Sequence, residues 1–265
     1  MSQFRRIARY AVAAVALWLA ALLVLNLVLF GGTRRRIAER LVDSLQALAT
    51  IDRGSLALIR GWIDLDELVI RRDDLVGHLT ITANSIHCDL PPLGLGLFDR
   101  DCRNLVVRGT RLEVSTAALF KLRRPRRPPM HAQHVVIEDA RLVFSPSAFL
   151  PSMGRVAIDI ERAEAGPTVF KTPLSWVFAL QQLRATVDLP AGITLRLTYE
   201  DGKLRIAGDL LGSTPVELPL AIPIAGAADE ASAEIAKLVE LGKDVAERVL
   251  ASKAEDWLRS KLTSP

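Results

Sequence analysis

The sequence predicts an α+β protein with an apolar N-terminal helix, an elongated and mainly antiparallel β-sheet, and a C-terminal amphipathic helix. Three observations predict it. Tyr10 to Phe30 forms an unbroken apolar run in which Asn26 is the one strongly polar side chain. From Ile51 to about Pro223, short segments of period two alternate with Gly, Pro and Asp breaks, the pattern of strands and turns. From Ala228 to Leu262 the apolar spacing becomes helical, with Ile235, Leu238, Val239, Val245, Val249, Leu250, Trp257, Leu258 and Leu262 in one stripe.

The first run, at about 1.5 Å per residue, covers roughly 30 Å, the thickness of a bilayer's hydrocarbon core. Arg5, Arg6 and Arg9 bracket it on one side and Arg34, Arg35 and Arg36 on the other. It is longer than the apolar core of a cleavable signal, and its exit, Leu29-Phe30-Gly31-Gly32, has bulky residues where a cleavage site wants small ones. The expectation is an uncleaved single-pass anchor. Arginines on the two flanks nearly balance, so charge does not fix orientation. The short N-terminal tail is the simpler cytoplasmic end, which makes the body the exported part. The organisation expected is residues 1–34 as tail and anchor, 35–50 as an amphipathic linker helix, 51–225 as the β-rich body and 226–265 as the C-terminal helix. Ile37, Leu41, Leu45 and Leu48 give the linker its apolar stripe. The stretch from Pro173 to Leu183 is the only weakly helical part of the body.

Within the body, the clearest unit is a hairpin from Ile193 to Gly208 with Asp201-Gly202 at its tip. A two-residue Asp-Gly loop pairs Leu197 with Ile206 and Tyr199 with Leu204, leaving one face apolar. Leu105-Val106-Val107-Arg108-Gly109-Thr110-Arg111-Leu112-Glu113-Val114-Ser115 returns as Val135-Val136-Ile137-Glu138-Asp139-Ala140-Arg141-Leu142-Val143-Phe144-Ser145. Each copy reads as strand, tight break and strand, and the echo suggests a sheet grown from similar units.

Of the 265 residues, 50% are hydrophobic and 24% charged, with a formal net charge of +4, which fits an anchored globular protein. The basic residues lack interleaved aromatics or a recognisable module, which argues against a nucleic-acid partner. Arg123-Arg124-Pro125-Arg126-Arg127 reads as a solvated loop, and anionic lipid headgroups suit the arginines beside the anchor. The sequence has no nucleophile elbow, Walker-type loop, His-Glu-x-x-His or dinucleotide fingerprint. His131 and His134 read as a loop pair without further ligands. His78 and His87 fall in strand-like segments as surface or hydrogen-bonded side chains. Asp73-Asp74 and Asp99-Asp101 read as turn residues. No enzyme activity, metal site or cofactor is expected.

The two cysteines, Cys88 and Cys102, flank a break from Leu90 to Asp101 that reads as the connection of adjacent antiparallel strands. A connection centred near Leu95 places them opposite one another, which makes them a disulfide candidate in an exported body. Separate thiols are the alternative, since a slip of one residue turns a side chain to the other face.

A single N-terminal anchor, a short helix and then strands of the form hydrophobic-x-hydrophobic-x-Gly-x-x-Leu-x-hydrophobic resemble the AsmA-like proteins of the Gram-negative envelope. The residues carrying the resemblance are Gly54-Ser55-Leu56-Ala57-Leu58, Ile63-Asp64-Leu65-Asp66-Glu67-Leu68-Val69-Ile70 and Ile81-Thr82-Ala83-Asn84-Ser85-Ile86. The break Leu90-Pro91-Pro92-Leu93-Gly94 and the pair of strands read in Leu105–Val114 continue it. The resemblance implies a strongly curved sheet, a β-groove, whose apolar concave face holds phospholipid acyl chains, and a role in phospholipid movement or outer-membrane assembly. Ten to twelve strands at about 4.8 Å give a groove roughly 50–60 Å long, short of a conduit across the periplasm. The residues expected on the lipid-binding face are Leu105, Val107, Leu112, Val114, Val135, Ile137, Leu142, Phe144, Leu195, Leu197, Leu204 and Ile206. Phospholipid and membrane are then the partners, with other envelope proteins beside them, and the resemblance implies an anchor in the inner (cytoplasmic) membrane with the body in the periplasm. The alternative is a non-enzymatic scaffold or assembly factor whose sheet is covered by its own helices.

Overall fold

The computed structural model describes residues 10–26, 35, 38–39, 42, 48–74, 77–93, 101–115, 130–145, 155–170, 175–189, 192–208, 211, 215–220, 240, 243–244 and 247. It shows one large sheet of eleven strands: β1 Leu48–Ala57, β2 Trp62–Asp74, β3 Gly77–Asp89, β4 Asp101–Ser115, β5 Met130–Ser145, β6 Val156–Ala165, β7 Thr168–Phe170, β8 Leu180–Leu189, β9 Ile193–Glu200, β10 Lys203–Gly208 and β11 Val216–Pro219. The spatial order is β1-β2-β3-β4-β5-β6-β8-β9-β10-β11, and β7 pairs with β5 beside the end of β6. Every pairing is antiparallel except β4 with β5, which is parallel.

The β9–β10 hairpin forms in the predicted register, Tyr199 with Leu204 and Leu197 with Ile206. Its loop residues Asp201 (φ 49°) and Gly202 (φ 74°) both take the left-handed conformation that a two-residue hairpin turn requires. The echoed segments form differently from expectation. Neither contains a strand pair. Each is one continuous strand, and the two lie side by side in matching register, Leu105 beside Val135 through Ser115 beside Ser145. The expected break at Gly109-Thr110 or Asp139-Ala140 is a kink inside the strand, with Gly109 at φ 60° and Asp139 at φ 54°.

That kink belongs to a seam crossing the sheet. Ladder pairing skips Asp52 and Glu67 between β1 and β2, Asn84 and Gly109 between β3 and β4, and Asp139 and Glu161 between β5 and β6. Glu67 too has a left-handed backbone, φ 53°. At the seam each strand slips its side-chain alternation by one position. Leu105 and Val107 before it therefore share a face with Thr110 and Leu112 after it, as Val135 and Ile137 do with Ala140 and Leu142. Because strands β1 to β6 slip together, their ladders keep register through the seam, which ends at β8, where no residue is skipped and the β6–β8 pairing shifts register between Ile160 and Arg162.

Other boundaries move. Residues 48–50, expected at the end of the linker helix, are taken by β1 through pairing with Arg71, Ile70 and Val69. Of that linker, positions 35, 38, 39 and 42 are described and helical, with an Arg35–Glu39 ion pair one turn apart at 2.9 Å. The stretch from Pro173 to Leu183 holds a 3-10 turn, Ser175–Ala179, and then opens β8 at Leu180. The predicted Arg123–Arg127 loop lies outside the described residues. So does the C-terminal helix of 226–265, apart from positions 240, 243, 244 and 247, which are helical.

Helix α1 covers residues 10–26. Positions 27–30 of the predicted span lie outside the described residues, and among those described no helix is long and apolar enough to cross a membrane. Tyr10, Val12, Val15, Leu17, Leu23 and Val24 of α1 are exposed, while Leu22 is buried. The helix touches one end of the sheet. Trp18 Nε1 donates to the Leu93 carbonyl at 3.3 Å, and Asn26 Oδ1 accepts from the Leu58 amide at 3.4 Å.

Cys88 and Cys102 form a disulfide with Cα atoms 5.7 Å apart. Across the β3–β4 ladder Cys88 faces Leu105, so the hairpin is centred slightly beyond Leu95. Cys102 itself lies one residue before Arg103, which the β4–β5 pairing skips. The bridge closes a loop with a sequence separation of 14. Replacing both cysteines with serine is expected to cost about 3 kcal/mol in urea unfolding, the chain-entropy value for such a loop. Reduced wild type should then unfold with the double variant. If oxidised wild type and variant share one midpoint, the bridge contributes nothing.

Candidate functional site

The sheet separates its two faces by chemistry. All twelve residues expected on the apolar face belong to one hydrophobic cluster. Leu105, Leu112, Val114, Val135, Ile137, Leu142, Leu204 and Ile206 are buried in it, and Val107, Phe144, Leu195 and Leu197 pack against it partly exposed. Six of them, Leu105, Val107, Leu112, Val135, Ile137 and Leu142, also line an apolar cleft of about 140 Å³. The parallel β4–β5 ladder sets these as side-by-side pairs, 105 with 135, 107 with 137 and 112 with 142. Val114, Phe144, Leu195, Leu197, Leu204 and Ile206 share the face but do not line the cleft.

The cleft draws on residues the sequence reading left out. Leu68, Ile81, Ala83 and Ile86 extend it across β2 and β3, and Ile160 adds β6. Their period-two spacing was visible, and the slip at the seam is what brings both halves of each strand to the same wall. Phe170 and Trp176 come from β7 and the 3-10 turn. Trp176 is 6% exposed, so this short segment already covers part of the face. A three-residue strand and one turn of 3-10 helix leave no periodicity by which to find them. At the β1 end, Ala38 packs on the smaller cluster of Ile51, Leu65, Leu68, Ile70 and Ala83. Thr110 adds a hydroxyl to the cleft wall. The Thr110 hydroxyl is buried and has no hydrogen-bond partner among the described residues.

The opposite face is charged. Arg108, Glu138 and Arg162 stand in one row across β4, β5 and β6, with Arg108–Glu138 at 2.7 Å, Arg162–Glu138 at 2.8 Å and Arg162–Glu164 at 2.7 Å. The hydrogen bond from Arg108, with the Arg108 and Arg162 charges, holds the Glu138 carboxyl below its ordinary range against a smaller opposing effect of desolvation.

The histidines are on this sheet too. His131 and His134, expected in a loop, are residues of β5, because its first residues pair with β4 at Asp101 and Asn104. His134 Nδ1 lies 3.2 Å from Asn104 Oδ1, and His131 lies 3.9 Å from Asp101. Asp73 and Asp74 end β2 and Asp101 opens β4, so these are strand residues, while Asp99 lies outside the described residues. His78 is an exposed residue of β3. No group of three or more His, Cys, Asp or Glu placed to hold a metal occurs among the described residues.

His87 is held between two carboxylates, Nδ1 to Asp64 at 2.5 Å and Nε2 to Asp89 at 3.0 Å. The Asp64 hydrogen bond raises its pKa above the usual 6.5, desolvation opposes this, and Asp89 adds to the rise. A raised value in the folded state means the protonated imidazole stabilises the fold. That contribution is complete below the unfolded-state value and fades as pH rises through the folded-state one. The melting-temperature gap between wild type and His87→Gln should therefore be widest in mildly acidic buffer and narrow in alkaline buffer. A gap that does not change with pH would mean that the imidazole is not charged there.

The sequence matches no family model and no curated protein.

Proposed function

We propose that this chain is a membrane-tethered, non-enzymatic protein of the cell envelope whose apolar sheet face takes up phospholipid acyl chains. The observation that carries the reading is the cleft built from ladder pairs of β4 and β5, with apolar neighbours on β2, β3 and β6. In this reading the sheet curves around that face as in AsmA-like proteins. The apolar run from Tyr10 to Phe30 anchors the chain in the inner membrane, the body lies in the periplasm, and residues 226–265 form an amphipathic helix beside it. Exposed apolar side chains around α1 support the anchor, since water is a costly solvent for them.

Size limits what enters. An apolar protein cavity of about 150 Å³ takes one benzene, so a cleft of this volume suits a segment of a single acyl chain and leaves the headgroup outside. Thr110 can donate its hydroxyl to an ester carbonyl, giving the chain a polar stop inside an apolar wall.

Photocrosslinking of the full-length protein with a phospholipid carrying a photoactive acyl chain tests this. Adducts on Leu105, Val107 or Ile137 support the reading, and adducts confined to residues 10–26 overturn it. Thr110→Val should stabilise the lipid-free protein by about 1 kcal/mol, because it removes a buried unpaired hydroxyl. The same variant should reduce adduct yield in the cleft. Loss of stability instead would show the hydroxyl to be satisfied.

A second reading is favoured by Trp176, Phe170 and Ala38, which already lie over parts of the apolar face. If the chain's own segments complete that cover, the protein is an envelope scaffold, and it would capture no lipid in the same experiment.

A further inference from the structure

We propose that the charged face carries a receiving site for a phosphate group, built by Arg111, Arg141 and Arg155 at the end of the sheet away from α1. This does not rest on the acyl-chain reading, because the site uses the other face and other residues.

The three arginines line a depression of about 430 Å³ together with Glu113, Ala157, Asp188 and Leu189. Arg111 and Arg141 occupy one rung of the parallel β4–β5 ladder. Their backbones are then about 4.8 Å apart with both side chains on one face. Like charges directly opposite each other destabilise a sheet. The rung at Arg108 solves this with Glu138 opposite, bonded at 2.7 Å. On the rung at Arg111 the carboxylate comes only beyond Arg141, from Asp159 of β6, and Arg111 itself faces no acid. Arg111 has no ion-pair partner among the described residues, Arg141 reaches Asp159 only at 3.5 Å, and Arg155 reaches Glu113 only at 3.8 Å. Charge-assisted hydrogen bonds of this kind are normally about 2.7–2.9 Å, so these guanidinium donors are loosely engaged. Of the two lining carboxylates, Asp188 also accepts the Thr194 hydroxyl at 3.0 Å.

Two planar guanidinium groups on neighbouring strands can each present a pair of N–H donors to one tetrahedral anion, the geometry for which Arg is chosen over Lys. A phosphate group, whether the diester of a lipid headgroup or a free phosphate, relieves the repulsion on the rung and fits between the two strands. Arg155 approaches from the strand end as a third donor.

The test uses full-length protein in phosphatidylcholine nanodiscs. One arm measures thermal unfolding with inorganic phosphate against chloride of equal ionic strength. The other measures capture of phosphatidylglycerol vesicles against pure phosphatidylcholine vesicles. Wild type should respond to phosphate, to phosphatidylglycerol, or to both. R111Q/R141Q should weaken that response on the order of tenfold or more, as expected for losing charge-assisted bonds. A response to phosphate alone identifies a soluble phosphate, and a response to vesicles alone identifies a headgroup. Arg111→Gln should by itself raise the unfolding temperature without phosphate, by relieving the like-charged rung. R111K should bind more weakly than wild type but better than R111Q. A wild type that answers neither probe, or a double variant that answers as well as wild type, overturns the site.

Discussion

An aspartate at position 137 is expected to destabilise the protein by on the order of 3–5 kcal/mol, the cost of an uncompensated buried charge. Ile137 is 8% exposed and sits in the middle of the main cluster, with Val107 beside it on β4 and Ala163 on β6. Among the described residues no cation shares that wall of the cleft, so the carboxylate would be relieved by unfolding or by protonation. Urea unfolding of Ile137→Asp measures the loss, and its recovery at acidic pH would show that the charge causes it. Adducts with the photoactive phospholipid should disappear in the same variant. Because poor folding alone could remove them, Leu197→Asp serves as the companion. Leu197 lies on the same face, partly exposed and outside the cleft wall, so its change should be milder. Retained stability in Ile137→Asp would mean that the cleft is open to water, against the packing described.

Gly109→Ala is expected to cost about 2–4 kcal/mol, from left-handed backbone strain of about 1–2 kcal/mol plus crowding. A Cβ at Gly109 would lie 2.2 Å from Asn84 Nδ2 and 2.5 Å from Asn84 Cγ, so the Asn84 side chain would have to leave its place. The matching position on β5 predicts the reverse. Asp139 holds the same left-handed conformation with a side chain. Asp139→Gly should therefore be neutral or stabilising by up to about 1 kcal/mol. Opposite signs at two matching positions on neighbouring strands are a specific signature of the seam, readable by urea unfolding. If both substitutions destabilise alike, strain at the seam is not what sets them.

The sequence made some of this architecture legible and hid the rest for physical reasons. The β9–β10 hairpin could be read because Asp201-Gly202 fixes both turn type and register locally. The apolar face could be read because Leu105, Val107, Leu112 and Val114 repeat their spacing in Val135, Ile137, Leu142 and Phe144. What Gly109 and Asp139 do could not be read. A left-handed residue serves a turn or a mid-strand kink equally well, and the neighbouring strand decides between them. Parallel pairing of β4 with β5 was hidden for the same reason, since strand neighbours are chosen by tertiary contact. His131 and His134 looked like loop residues because a Pro-rich stretch precedes them, yet the ladder to Asp101 and Asn104 claimed them. The like-charged rung at Arg111 and Arg141 became visible only once the two echoes were seen to lie side by side.

The lone parallel pairing also orders the folding reaction. Strands β1 to β4 are successive antiparallel neighbours, so each pairing can start at its connection and zip outward. Strands β5, β6 and β8 to β11 form a second such series. Between β4 and β5 no rung is close in sequence, and every one joins residues 30 apart, as Arg108 and Glu138 are. Compared with a four-residue turn, each possible starting rung costs about 2 kcal/mol more in loop closure. Two hairpin stacks should therefore form first and dock late, along the interface that also builds the cleft wall. Pulsed hydrogen exchange during refolding would see β4 and β5 amides at that interface protected after those of β2–β3 and β9–β10.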